Sequence, residues 1–153
     1  MDELAPYLTW LIALAVLLLL YVLLRPARPR FAPKPLLTQN EIEFFGRLQR
    51  ALPELAIFPQ VALRAIIRPG SPSSSRSYDR EAGLIGAKHC DFLICRPDNF
   101  AIVAIVELDD RTHQKDKDAS RDQMTAAAGY RTLRFESKNK PSVAELRRIF
   151  EAA

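Results

Sequence analysis

The chain has 153 residues, a net charge of +4 and 48% hydrophobic residues, which leaves room for one globular domain. That charge excess is too small to announce a nucleic-acid binder by itself. Cys90 and Cys95 are its only cysteines, so a disulfide framework is excluded and a reducing compartment fits.

After a short N-terminus, residues 1–6, the run Tyr7 to Leu24 (YLTWLIALAVLLLLYVLL) contains no charged residue. As a helix, such a run spans about 27 Å, close to the hydrocarbon thickness of a bilayer. Pro6 is tolerated in a first helical turn. Tyr7, Trp10 and Tyr21 sit near the ends, where amphipathic aromatics favour the headgroup region. The sequence therefore predicts one transmembrane helix over 7–24, in contact with membrane lipid. A cleaved signal peptide would need a basic start and a small-x-small cleavage site. Here Asp2 and Glu3 precede the run, and RPARPRFAP follows it. Arg25, Arg28, Arg30 and Lys34 come after the helix and no basic residue comes before it. The positive-inside rule then predicts an external N-terminus and a cytoplasmic domain. Residues 25–36 read as a Pro/Arg-rich linker, extended and suited to anionic headgroups.

Residues 37–153 are expected to fold as one α/β domain. A T-x-x-E capping box at Thr38–Glu41 starts a helix, and Pro53 stops it. Residues 57–67 read as a strand, and 68–87, rich in Ser, Gly and Pro, as a long mobile loop. HCDFLIC (89–95) is a strand, RPDNF (96–100) a turn, and AIVAIVELD (101–109) an apolar strand closing a hairpin. Residues 114–128 suit a helix stopped by Gly129. Tyr130 to Phe135 reads as a central strand, and Ser142 caps a C-terminal helix running to Glu151. The order α-β-β-β-α-β-α predicts an α/β sandwich around a mixed sheet.

The chemistry lies in acids placed on apolar strands. Asp91 interrupts HCDFLIC, while Glu107 and Asp109 end the most apolar strand and share one of its faces. Carboxylates so placed are costly unless compensated. Mg²⁺ or Mn²⁺ would compensate them, and three carboxylates on neighbouring strands could hold such an ion. It would polarise a phosphodiester and activate a water. The plain alternative is that strand-end acids meet solvent and that Asp109-Asp110 begins a turn. Arg111, Lys115, Lys117 and Arg121 alternate with Asp116, Asp118 and Asp122. They suit either a solvated helix face with i,i+4 pairs or phosphate contacts beside the metal. A zinc site from His89, Cys90, Cys95 and His113 is disfavoured, because a regular strand points Cys90 and Cys95 to opposite faces.

Taken together, TQNEIEFF, HCDFLIC, IVELDDRTH, RDQM and AAGYRTLRF, in this order over roughly 37–136, resemble the family known as domain of unknown function 2726. That family is grouped with PD-(D/E)XK nuclease-like proteins and is similar in layout to very-short-patch-repair-type endonucleases. The resemblance implies a three-layer α/β/α, restriction-endonuclease-like domain with a mixed sheet. Carried over, Asp91 takes the place of the first metal-binding aspartate and Glu107 that of the half-motif acid. Glu41 matches a first-helix glutamate that reaches toward the metal. Asp109 stands where the half-motif has its lysine, which leaves the cationic role there unfilled. His113, four residues after Asp109, could relay a proton near neutral pH, and Lys115 or Lys117 of the following helix could supply positive charge.

The expectation is thus a membrane-anchored, Mg²⁺- or Mn²⁺-dependent nuclease acting on DNA or RNA, with no small-molecule cofactor. Asp91 and Glu107 would hold the metal, Asp109, His113 and Glu41 would complete the catalytic set, and Arg111, Lys115, Lys117 and Arg121 would contact nucleic acid. The rival expectations are a catalytically inactive nuclease fold that binds nucleic acid or protein, and an anchored assembly module.

Overall fold

The uninterrupted apolar run folds as helix α1 (Ala5–Leu24). Its stretch Tyr7–Leu24 has a mean hydropathy of 2.6 and none of it is buried, so by length and composition it could cross a membrane. The computed structural model describes residues 5–24, 31–109 and 115–152. The chain divides into two units, Met1–Lys34 and Pro35–Ala153.

The second unit begins with α2 (Gln39–Ala51), whose Thr38–Glu41 capping box is formed as expected. Strand β1 (Ala56–Ala62) is shorter than the predicted 57–67. A 3-10 turn at Leu63–Ala65 ends it, because the Ile66 and Ile67 N–H groups bond back to Leu63 O. The segment 68–87, expected to be an irregular loop, contains helix α3 (Arg76–Ile85). Ser75 caps it, and Gly86 closes it at φ 48°, where an added Cβ would lie 2.9 Å from Gly83 O. The polar composition concealed this helix, although Tyr78, Ala82 and Ile85 keep helical spacing.

Strands β2 (His89–Cys95) and β3 (Ile102–Asp109) form the predicted hairpin. Helix α4 (Lys115–Ala127) then crosses to β4 (Thr132–Glu136), and the Ser142-capped α5 (Val143–Glu151) ends the described chain. The sheet order is β1-β2-β3-β4, with β3 and β4 parallel and the other pairs antiparallel. The sheet is therefore mixed, as expected. Strand β4, expected to be central, is an edge among the described strands, because the α4 crossover returns beside β3 and the chain then leaves the sheet as α5. Pro59 sits on the other edge, β1, where a missing N–H is tolerated.

Helices cover both faces of the sheet. On one, Phe44, Leu48 and Ala51 of α2 and Leu146 of α5 pack against Phe92, Ile94, Val106 and Leu108. On the other, Leu63, Ile85 of α3 and Met124 of α4 pack against Leu93 and Ile105. Phe44 meets Phe92 edge-on at 6.0 Å. Arg47 donates to the carbonyls of Lys140 and Pro141, and Arg147 to those of Arg50 and Ala51, which ties α2 to α5.

Candidate active site

The site lies where β2 parts from β3. Their ladder runs from Cys95 only as far as Phe92 opposite Val106, whereas β2 stays paired with β1 down to His89. Beyond that point the Asp91 side chain substitutes for strand backbone, and its Oδ2 accepts a hydrogen bond from Leu108 N at 2.8 Å. In β1, Gln60 lies between the residues paired with Phe92 and Cys90, hence opposite Asp91 in register. It has φ 52°, a conformation costly for a side chain with a Cβ. Past this distortion Cys90 packs with Leu63 and Ile105 instead of with Phe92. Cys90 and Cys95, expected on opposite faces, therefore border the same cluster.

Burial pushes the Asp91 carboxyl above its ordinary range, opposed by the Leu108 N–H; Glu41 and Asp109 raise it further, and Arg121 lowers it. Glu107 is 2% exposed. Burial first, and then the charge of Asp91, push its pKa up to about 7, against the pull of Arg121. The register that pairs Phe92 with Val106 brings Asp91 alongside Glu107, and Asp91 bonds the next residue, Leu108. Glu107 Oε2 accepts from Arg121 Nη1 at 2.8 Å. Its Oε1 is buried and has no hydrogen-bond partner among the described residues.

Asp109 shares the Glu107 face but is held elsewhere. Arg134 Nη1 donates to both of its oxygens, at 2.8 and 2.9 Å. The same guanidinium bonds Asp122 of α4 through Nη2 at 2.7 Å. Burial works against the Arg134 charge, but the bonds to Asp122 and Asp109 outweigh it and raise its pKa. Glu41 acts on Asp91 through its charge, while its oxygens are used locally. Oε2 completes the capping box with Thr38, and Oε1 accepts from Gln60 at 3.2 Å. Among the described residues, no group of three or more His, Cys, Asp or Glu side chains is arranged to hold a metal. Asp109, the third member of the expected Asp91, Glu107 and Asp109 set, is instead engaged by Arg134.

His113 and Arg111 lie outside the described residues, as do the side chains of Lys115 and Lys117 on α4. The Arg121 side chain is 22% exposed and that of Asp122 45%. They reach β3 and β4 through Glu107 and Arg134, because α4 lies against that side of the sheet.

Residues 33–153 match the family described as "Protein of unknown function (DUF2726)". The chain belongs to this family. No curated protein and no solved structure showed a significant match. The matched span of the DUF2726 domain contains every residue of the cluster, from Glu41 to Arg134.

Three parts of the cluster escaped the sequence reading. Gln60 stood in an apolar strand with no partner to suggest a role. The bond of Arg121 to Glu107 depends on how α4 lies on the sheet. Arg134 could be placed near the acids by strand alternation, but its double clamp on Asp109 and Asp122 could not.

Proposed function

We propose that this chain is a membrane-anchored, metal-dependent phosphodiester hydrolase acting on nucleic acid, with the restriction-endonuclease-like architecture of PD-(D/E)XK proteins. The observation that carries this reading is the Asp91–Glu107 pair: two carboxylates drawn together at a strand split, one of them with a buried oxygen lacking a partner among the described residues. Such a pair suits a hard divalent cation, since Mg²⁺ takes one or two protein carboxylates and fills its other positions with water and phosphate oxygens. Asp91 and Glu107 would hold the ion. When bound, Mg²⁺ or Mn²⁺ supplies Lewis acidity toward the phosphodiester and a more acidic water.

The chain's own residues prepare the rest. Leu108 N–H fixes Asp91, the capping box and Gln60 hold Glu41 beside it, and Arg134 keeps Asp109 from competing for the ion. In the hydrolysis, a water oxygen bonds to phosphorus and gives up its proton. The bond from phosphorus to one ester oxygen breaks, and that oxygen gains a proton. His113 is the proposed proton relay. Helix α1 is proposed as the anchor, with the N-terminus outside and the hydrolase in the cytoplasm, on the strength of the basic residues that follow it.

A second reading has its own support. The bonds of Arg121 to Glu107 and of Arg134 to Asp109 also suit a fold whose acids are internally neutralised, and which binds nucleic acid or protein without cutting.

Full-length protein in detergent micelles, incubated with supercoiled plasmid or short RNA and with Mg²⁺, Mn²⁺ or chelator, separates the two. Metal-dependent cutting that Asp91→Ala abolishes supports hydrolysis. Retarded migration without cutting supports the binding module. Neither cutting nor retardation rejects hydrolysis and nucleic-acid binding alike and leaves a protein-binding or anchored assembly module.

A further inference from the structure

We propose that the cavity between α3 and α4 binds a fatty acid, with its aliphatic chain inside and its carboxylate on Arg68. The cavity has a volume of about 390 Å³, within the range of small-molecule sites. Ile67 and Pro69, Leu84 and Ile85 of α3, and Met124 and Ala127 of α4 supply its apolar walls. Among the described residues no aromatic ring lines it, so nothing there favours stacking on a flat ligand. Ile85, 5% exposed, belongs to the core, whereas Leu84 is 47% exposed. The apolar lining thus runs from the core out to solvent. A flexible aliphatic chain fits such a lining and gains with each methylene it buries.

The polar side chains on the cavity set the other end of the ligand. They are Arg68, Glu81 and Gln123. Glu81 is engaged: its Oε1 accepts from Ser71 Oγ at 2.6 Å and its Oε2 from Ser71 N at 3.1 Å. These bonds hold its carboxyl below its ordinary range and fasten Ser71 to α3. Gln123 is neutral. Arg68 is exposed and makes no hydrogen bond or ion pair with the described residues. Its planar fork matches a carboxylate with two parallel N–H···O bonds. Among the described residues, the one uncommitted charge on this aliphatic cavity is therefore positive, which complements a chain ending in a carboxylate. Helix α1, the proposed anchor, would bring the protein to a bilayer, into which fatty acids partition. The cavity stands apart from the Asp91–Glu107 chemistry but shares α4 with it. Gln123 and Met124 directly follow Arg121 and Asp122, which bond Glu107 and Arg134. A chain packed between α3 and α4 holds those two helices together.

The test uses full-length protein in phosphatidylcholine nanodiscs and palmitate carrying a diazirine in its chain. After photolysis, label is expected on the α3 and α4 peptides that line the cavity. Unlabelled palmitate should compete. Hexadecanol, the same chain without the charge, should compete about tenfold less well. Arg68→Ala, at an exposed position, should weaken labelling by about tenfold, and Ala127→Phe, which fills the cavity, should remove it. Palmitate should also slow amide hydrogen exchange in α3 and α4 while α2 and α5 stay unchanged. Label confined to α1, or absent from the cavity peptides, overturns the assignment. Equal competition by hexadecanol, undiminished labelling of Arg68→Ala, or unchanged exchange in α3 and α4 overturns it as well. If Ala127→Phe does not fold, Arg68→Ala and the hexadecanol comparison decide.

Discussion

The Asp91 carboxylate accepts a hydrogen bond from the backbone N–H of Leu108 at 2.8 Å, at the point where β2 no longer runs beside β3. A side chain thereby satisfies a strand N–H that the sheet leaves open. It also brings one carboxylate against another, because Glu107 is the residue next to Leu108.

That bond separates the structural from the chemical role of Asp91. Asparagine can still accept from Leu108 N, so Asp91→Asn is expected to retain stability within about 1 kcal/mol. Asp91→Ala leaves the amide unsatisfied and is expected to cost about 1–3 kcal/mol. Both substitutions should abolish metal-dependent cutting. The single tryptophan, Trp10, belongs to α1, so urea unfolding of the α/β unit is followed by far-UV circular dichroism.

Glu107 makes a pH-dependent contribution of the opposite sign to that of an ordinary ion-paired carboxylate. Its pKa is pushed up to about 7 in the fold, against an ordinary value of 4.5. Between these values the folded chain holds a proton that the unfolded chain does not, so stability falls as pH rises through this window and levels off above it. The full effect is about 3 kcal/mol at most. Glu107→Gln should therefore stabilise the metal-free protein relative to wild type above about pH 7, with the gain vanishing near about pH 4.5. Urea unfolding in chelator across that range measures the difference.

Arg134→Met should cost about 1–3 kcal/mol, because it leaves Asp109 and Asp122 without their shared guanidinium. It should also loosen α4 from β4. Amide hydrogen exchange is expected to speed up around Asp122 and Thr125 more than in α2.

Thr38→Ala removes the N-cap hydroxyl of α2 and should cost about 1 kcal/mol. Glu41 then loses one of its anchors, while Gln60 still holds the other oxygen. The variant is expected to cut at near the wild-type rate after correction for the folded fraction.

Much of this arrangement was legible in local patterns. The α1 run, the Thr38 and Ser142 caps, the β2–β3 hairpin and the acids on it all follow from residue spacing. The helix α3 was hidden because its N-terminal half, RSYDR, follows a run of serines and is mostly polar, which resembles a loop. The edge position of β4 was missed because its burial comes from helices on both faces, not from strands on both sides. Strand pairing alone carries Asp91 and Glu107 to the same end of the β2–β3 hairpin. The engagement of Asp109 by Arg134, and of Glu107 by Arg121, depends on how α4 docks on the sheet, and no short-range pattern encodes that docking.

The proposed hydrolysis requires the Asp91–Glu107 pair to hold a divalent ion. Mn²⁺ titration of full-length protein in micelles, followed by electron paramagnetic resonance above the Glu107 pKa, reads this directly. Saturable binding in wild type that is lost in the double variant D91N/E107Q is the expected result. No binding by wild type, or equal binding by the double variant, would contradict it.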